Sequence, residues 1–167
     1  MKNFFIILLF CLSSVTLFAQ RTDKLNQFEV SVAVSGSTGD KSVVGINSLF
    51  VYDRILGDFG IGAGTGFLFS NTDSMGGDDF YRSIPFVVDM RWMPKLSNSV
   101  SFVGVFNAGA LVHLGDTDKS MGHYVSPQAG FRFRIANGWA VNLRALYSNF
   151  NTVESENTFG AVLGISF

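Results

Sequence analysis

The stretch Phe59-Gly60-Ile61-Gly62-Ala63-Gly64-Thr65-Gly66-Phe67-Leu68-Phe69 decides how the chain reads. Phe59, Ile61, Ala63, Thr65, Phe67 and Phe69 recur at every second position, the period of a strand with two unlike faces. The other face begins with Gly60, Gly62, Gly64 and Gly66. Glycine weakens a strand unless something must come close to it. In a narrow barrel it leaves room for long side chains that reach across the interior. A nucleotide-binding loop fits poorly, because the spacing never produces G-x-G-x-x-G and no helical period follows.

The same alternation extends in both directions. Phe28, Val30, Val32 and Val34 oppose Glu29, Ser31, Ala33 and Ser35. A less regular run covers 42–52. Ile84, Phe86, Val88, Met90 and Trp92 oppose Ser83, Val87, Asp89 and Arg91, and Pro85, which cannot donate to a ladder, is expected at a bulge. From 100 to 113 both faces are apolar, so the inward face stays open. Val125, Ala129, Phe131, Phe133 and Ile135 oppose Tyr124, Ser126, Gln128, Arg132 and Arg134. After the hairpin signal Asn137-Gly138, Trp139, Val141, Leu143, Ala145 and Tyr147 oppose Asn142, Arg144 and Ser148. Phe159, Ala161, Leu163, Ile165 and Phe167 close the chain, with Gly160, Val162 and Gly164 opposite. Longer polar loops at 36–41, 70–79, 114–122 and 149–157 alternate with short turns at 53–57, 93–99 and 137–138. That asymmetry belongs to barrels that cross an outer membrane, with the long loops outside and the turns on the periplasmic side. The expected fold is therefore all-β, an eight-stranded antiparallel transmembrane β-barrel.

A soluble barrel also alternates, but its apolar face points inward. Here the minority face carries Glu29, Asp89, Arg91, Arg132, Arg134 and Arg144, charges too costly for a soluble core. In a polar lumen they are expected to pair as a network with arginine in excess. Tyr52, Phe59, Trp92 and Trp139 fall at the turn ends of their runs, as an interfacial aromatic girdle would. Arg82 breaks the pattern by sharing the register of Ile84 and Phe86, and its place near a loop puts it above the hydrocarbon.

Composition agrees with this reading. The chain is 47% hydrophobic and only 15% charged, yet past its N-terminus no run approaches the roughly 20 apolar residues of a membrane helix. Its net charge of −1 does not suggest nucleic acid. Lys2 followed by the short apolar run 4–12 reads as a secretory signal, with cleavage expected after Ala19. The division is then 1–19 signal peptide, 20–27 short N-terminal segment and 28–167 barrel domain. Cys11 lies inside the signal, so the mature chain has no disulfide, thiolate metal site or thiol nucleophile.

Three segments resemble a family: 83–91 (SIPFVVDMR), 126–133 (SPQAGFRF) and 159–167 (FGAVLGISF). They are similar to the porin-like, OmpA/OmpX-type small β-barrel domains, a resemblance covering most of the chain from about Phe28 onward. It implies residence in the outer membrane of a Gram-negative cell envelope and little about the task. The ending Leu163, Ile165 and Phe167 resembles the signal read by the barrel-assembly machinery.

Three functions are weighed. The first is a non-enzymatic structural or surface-interaction protein, monomeric, with outer-membrane lipid and lipopolysaccharide as surroundings and no cofactor. The second is a narrow pore for small solutes or ions, set against an interior that eight strands leave just wide enough for side chains to fill. The third is a lipid A-modifying enzyme, for which His113, His123, Ser74, Ser126 and Asp73 are the candidates. His123 and Ser126 sit three apart on one strand and so face opposite sides. No catalytic residue is assigned. The outer loops carry Asp40, Asp73, Asp78, Asp79, Asp116, Asp118, Glu154 and Glu156 against Lys41 and Lys119. Oxygen ligands of this kind suit calcium, but the spacing is not that of a calcium loop, and no metal site is assigned.

Overall fold

In the computed structural model, residues 25–37, 43–72, 80–114, 121–136, 138–151 and 155–167 are described. They form eight strands: β1 Leu25–Gly36, β2 Val43–Leu56, β3 Phe59–Thr72, β4 Phe80–Trp92, β5 Val100–Leu114, β6 Met121–Ala136, β7 Trp139–Asn151 and β8 Ser155–Ser166. Each pairs antiparallel with its neighbours in chain order, and β1 pairs with β8, so the sheet closes into a barrel. The seam runs from Glu29 opposite Ser166 to Gly36 opposite Phe159. Below it Phe28 and Phe167 exchange backbone hydrogen bonds of 2.8 and 2.9 Å. Closure leaves no unpaired edge to face hydrocarbon. The expected signal peptide and the expected cleavage after Ala19 lie outside the described residues.

Several boundaries differ from the sequence reading. β1 starts at Leu25, and β2 runs on to Leu56, through the expected turn at 53–57. Within the expected loop 149–157, β7 and β8 continue their ladder to Asn151 opposite Ser155. Pro85 makes no bulge. The β3–β4 register is unchanged between Thr65–Phe86 and Leu68–Ser83, so the intervening rungs are missing without an inserted residue. The register shift lies at Arg134 and Ala136, beside the β6–β7 turn. Gly57 and Gly138 take positive φ, 65° and 85°, at two of the short turns, where a side chain would be strained.

Alternation along each strand sorts the side chains. The outward rows are large and apolar: Phe28, Val30, Val32 and Val34 on β1 are 37–55% exposed, and Leu143, Phe159, Leu163 and Ile165 are comparable. An apolar surface wrapping the whole barrel is unsuited to water and suited to lipid. Tyr52, Phe59, Trp92 and Trp139 all point outward at the turn side. Neighbouring rings link Tyr52, Trp92 and Trp139 into arcs. Tyr52 stands 4.9 Å from Phe28, and Trp139 stands 5.1 Å from Phe167. Trp92 stands 5.9 Å from Phe102. Arg82 is outward and exposed.

Candidate functional site: the filled lumen

The inward rows build three layers. In the turn-side half, charged residues from four strands converge. Arg91 on β4 is the centre. Its Nη1 lies 2.9 Å from Glu29 Oε2, its Nε 2.7 Å from Asp89 Oδ1 and its Nη2 2.8 Å from Asp53 Oδ2. The first two are well-aligned hydrogen bonds, whereas the Asp53 contact is an ion pair without hydrogen-bond alignment. Glu29 bridges onward: Arg144 Nη2 approaches its Oε1 to 2.5 Å, and Asn142 Nδ2 donates to its Oε2 at 2.9 Å. Glu29, Asp53, Asp89, Arg91 and Arg144 are each no more than 3% exposed. Charges so far from water persist only when paired and hydrogen-bonded.

The β3 glycines explain how the layer fits. A Cβ on Gly60 would stand 2.7 Å from Arg91 Cγ, and one on Gly62 would meet the Tyr52 backbone oxygen at 2.1 Å as well as Asp53 Oδ1 at 2.3 Å. Gly60 makes room for side chains alone, Gly62 for a side chain and backbone together, and at Gly66 the obstacle is backbone, Ser48 O at 1.7 Å.

Below the charges, Ile55, Met93, Val103 and Val105 form an apolar floor. Arg132 lies at this level. Its Nη1 donates to Gln27 Oε1 at 2.5 Å and lies 3.5 Å from Met93 Sδ. Above the charges, Val43, Leu49, Val51, Leu68, Val87, Leu111, Tyr124 and Phe150 pack into an apolar core through the loop-side half. Within it the Tyr124 hydroxyl accepts a 2.8 Å bond from Asn47 Nδ2. The open question on β5 is thereby answered. Val103, Val105, Leu111 and His113 point in, and Phe106 and Leu114 point out. Both faces are apolar there because one meets lipid and the other meets the lumen core.

The structure brings together Glu29, Asp89, Arg91 and Arg144, and leaves Arg132 one step aside. Arg134 has the inward register but is exposed at the turn-side mouth. Asp53 was missed because a short turn was expected at its position. With Asp53 included, three carboxylates (Glu29, Asp53, Asp89) face three arginines (Arg91, Arg132, Arg144), and the arginine excess disappears. The only available signal was Asp53 in the same odd-numbered register as Leu49 and Val51.

Of the hydrolase candidates, the three that are described, His113, His123 and Ser126, do not meet. His113 faces the lumen, where its Nδ1 is 2.8 Å from Ser83 Oγ, and that serine is 1% exposed. His123 faces outward, with Nε2 2.6 Å from Asn149 Oδ1, while Ser126 is fully buried on the inward side. Ser74 and Asp73 lie outside the described residues. So do Asp40, Asp78, Asp79, Asp116, Asp118, Glu154, Lys41 and Lys119. Glu156 belongs to β8 and is buried, not a loop residue. Among the described residues no group of three or more His, Cys, Asp or Glu is placed to hold a metal ion.

No protein-family model matches the chain, and no curated protein matches it in sequence. Solved structures do match in fold. Neisserial surface protein A (NspA) superposes with a TM-score of 0.54 at 11% identity, over 84% of this chain and 94% of its own. OprG, an outer membrane protein from Pseudomonas aeruginosa, superposes at 0.53 and 10% identity, over 88% and 97%. The outer membrane enzyme PagL superposes at 0.52 and 17% identity, over 83% and 98%. The fold is that of the small eight-stranded outer-membrane barrels.

Proposed function

We propose that this chain is an integral outer-membrane protein, non-enzymatic and closed to solutes, whose role is structural or lies in contacts made at the cell surface. The observation that carries the reading is the filled lumen. An ionic layer is held between an apolar floor and an apolar core, and a hydrated path would have to displace all three. The apolar exterior supports the membrane setting, and the terminal Leu163, Ile165 and Phe167, all facing outward, suit a strand handed to the barrel-assembly machinery. Export through the general secretory route follows from the reading of 1–19.

The deciding measurement is conductance in planar bilayers. Purified, refolded protein is expected to leave the membrane at its bare resistance. Discrete steps in current from the refolded protein would overturn the closed-barrel reading in favour of a pore. Fractionation tests location independently: recovery as a soluble periplasmic protein would overturn the membrane reading itself.

A further inference from the structure

The outward surface is not uniform around the barrel. Strands in such barrels tilt by about 35–45°, so each residue climbs about 2.5 Å, and ten residues cross the roughly 25 Å apolar band. Ten positions above the girdle residue Phe59, β3 presents Phe69, which is 42% exposed. Ten positions above Trp139, β7 presents Asn149, and ten above Phe167, β8 presents Asn157. These two asparagines are register partners. The boundary of the hydrocarbon is thus aromatic on β3 and amide-bearing on β7 and β8.

The amides are the centre of a connected group. Asn149 Nδ2 donates to Asn157 Oδ1 at 2.7 Å and to Ser155 Oγ at 3.1 Å. The Tyr147 hydroxyl donates to the same Asn157 Oδ1 at 2.6 Å, and His123 meets Asn149 Oδ1 at 2.6 Å. All are at the outer surface. On the hydrocarbon side, the Tyr147 ring packs 5.0 Å from Phe159, and below that pair the register partners Ala145 and Ala161 leave the surface low. Among the described residues, the group therefore has amide and hydroxyl hydrogen-bonding groups and no carboxylate or permanent cation, an aromatic collar, and a shallow apolar strip beneath.

We propose that this patch binds the saccharide headgroup of a glycolipid in the loop-side leaflet, with its acyl chains lying over Ala145 and Ala161. Neutral amides and hydroxyls that both donate and accept match sugar hydroxyls and acyl-amide linkages. A phospholipid headgroup offers little beyond its charges, for which the described residues of the patch have no counterpart, whereas the sugar rings of a glycolipid add hydroxyls and acyl-amide linkages beside any phosphate they carry. An aromatic collar is the usual flank where an amphipathic molecule leaves hydrocarbon. The one-sided placement gives the site a location, on β6–β8 and not on β3. The inference rests on the membrane reading above.

The test uses the full barrel reconstituted in lipid nanodiscs, with lipopolysaccharide as probe in a phospholipid background. The readout is lipopolysaccharide retained by the protein after re-extraction in mild detergent. Wild type is expected to retain it in preference to phospholipid. The double variant Asn149→Leu/Asn157→Leu is expected to lose roughly tenfold in that preference, the equivalent of one or two hydrogen bonds. Phe69→Leu, at the same height on β3, is expected to change nothing. Equal retention by wild type and the double variant overturns the site, and so does an equal loss in Phe69→Leu. Protease protection of each reconstituted variant reports folding, and His123→Ala, a milder change, is expected to lose a smaller share of the preference. Should wild type fail to insert into bilayers, the membrane reading falls with it. An inserted barrel that shows no preference overturns only this site.

Discussion

The two halves of the lumen solve one packing problem with opposite chemistry. The loop-side half is packed around Val43, Leu49, Val51, Leu68, Val87, Leu111, Tyr124 and Phe150, an apolar core with uncharged polar side chains such as Asn47, Asn107, Ser126 and Thr158 buried beside it. The turn-side half is filled by Glu29, Asp53, Asp89, Arg91 and Arg144, joined by ion pairs of 2.5 to 2.9 Å. Apolar filling degrades gradually when one side chain is trimmed, since each neighbour loses only some contacts. An ionic layer fails abruptly, because removing one member strands the others away from water. The halves should therefore differ in how they respond to single and combined substitution.

The largest effect is expected from Arg91→Met. It keeps much of the side-chain volume but leaves Glu29, Asp53 and Asp89 without their common partner. Stranding one buried charge costs about 3–5 kcal/mol, and here three carboxylates are affected, so the loss belongs at the top of that range. Urea unfolding of the purified barrel in detergent checks it. A loss under about 1 kcal/mol would mean that water reaches the layer and screens it.

In the other half, Leu111→Ala removes a fully buried side chain from the apolar core. Its expected cost is about 2–4 kcal/mol, the transfer term plus a cavity term. A cost near zero would say that this half is loosely packed. A smaller loss, about 1 kcal/mol, is expected from Ser83→Ala, which deprives His113 Nδ1 of its 2.8 Å partner but leaves the packing intact. The same urea titration distinguishes the two. If Ser83→Ala costs as much as Leu111→Ala, the Ser83–His113 pair holds more of the loop-side mouth together than one hydrogen bond.

The two halves also differed in how visible they were in the sequence. Alternation with charges on the minority face made β1, β4, β6 and β7 legible, because lipid and lumen demand opposite polarity there. On β5 the lumen is as apolar as the lipid, so Val103, Val105 and Leu111 read the same as Phe106, and no period could separate the faces. Asp53 was hidden by a different effect. Asp near Gly57 is turn chemistry in isolation, and only the pairing of β2 with β3, which carries the ladder to Leu56 opposite Phe59, brings it into the barrel. The ends of β7 and β8 were hidden likewise. Ser, Asn and Glu from 148 to 157 look like a loop, yet Ser148 meets Thr158 inside at 2.7 Å, and Asn149 meets Asn157 outside. Polar residues on both faces of a strand mark the level at which the membrane ends, not the end of the strand.

The smallest net effect is expected from the most extensive change, which converts one half toward the chemistry of the other. In Glu29→Gln, Asp53→Asn, Asp89→Asn, Arg91→Met and Arg144→Met combined, the five buried charges of the layer are removed, shapes are nearly kept, and Arg132 alone stays charged, one step aside with its Gln27 partner. Taking these ions out of water costs several kcal/mol apiece, which their mutual attraction roughly offsets, so a neutral replacement of similar volume is often as stable as the original. The amides can still hydrogen-bond, and the space above Gly60 and Gly62 admits methionine and asparagine in place of Arg91 and Asp53. The quintuple variant is therefore expected within about 2 kcal/mol of wild type, although Arg91→Met alone is far worse. Such strong non-additivity is the signature of a layer that acts as a unit. If the quintuple variant instead loses as much as Arg91→Met, the charges themselves stabilise the barrel and the two halves are not interchangeable fillings. Planar-bilayer recordings on the same variant extend the comparison: a barrel closed by packing stays silent without its charges, whereas one closed by ion pairs begins to conduct.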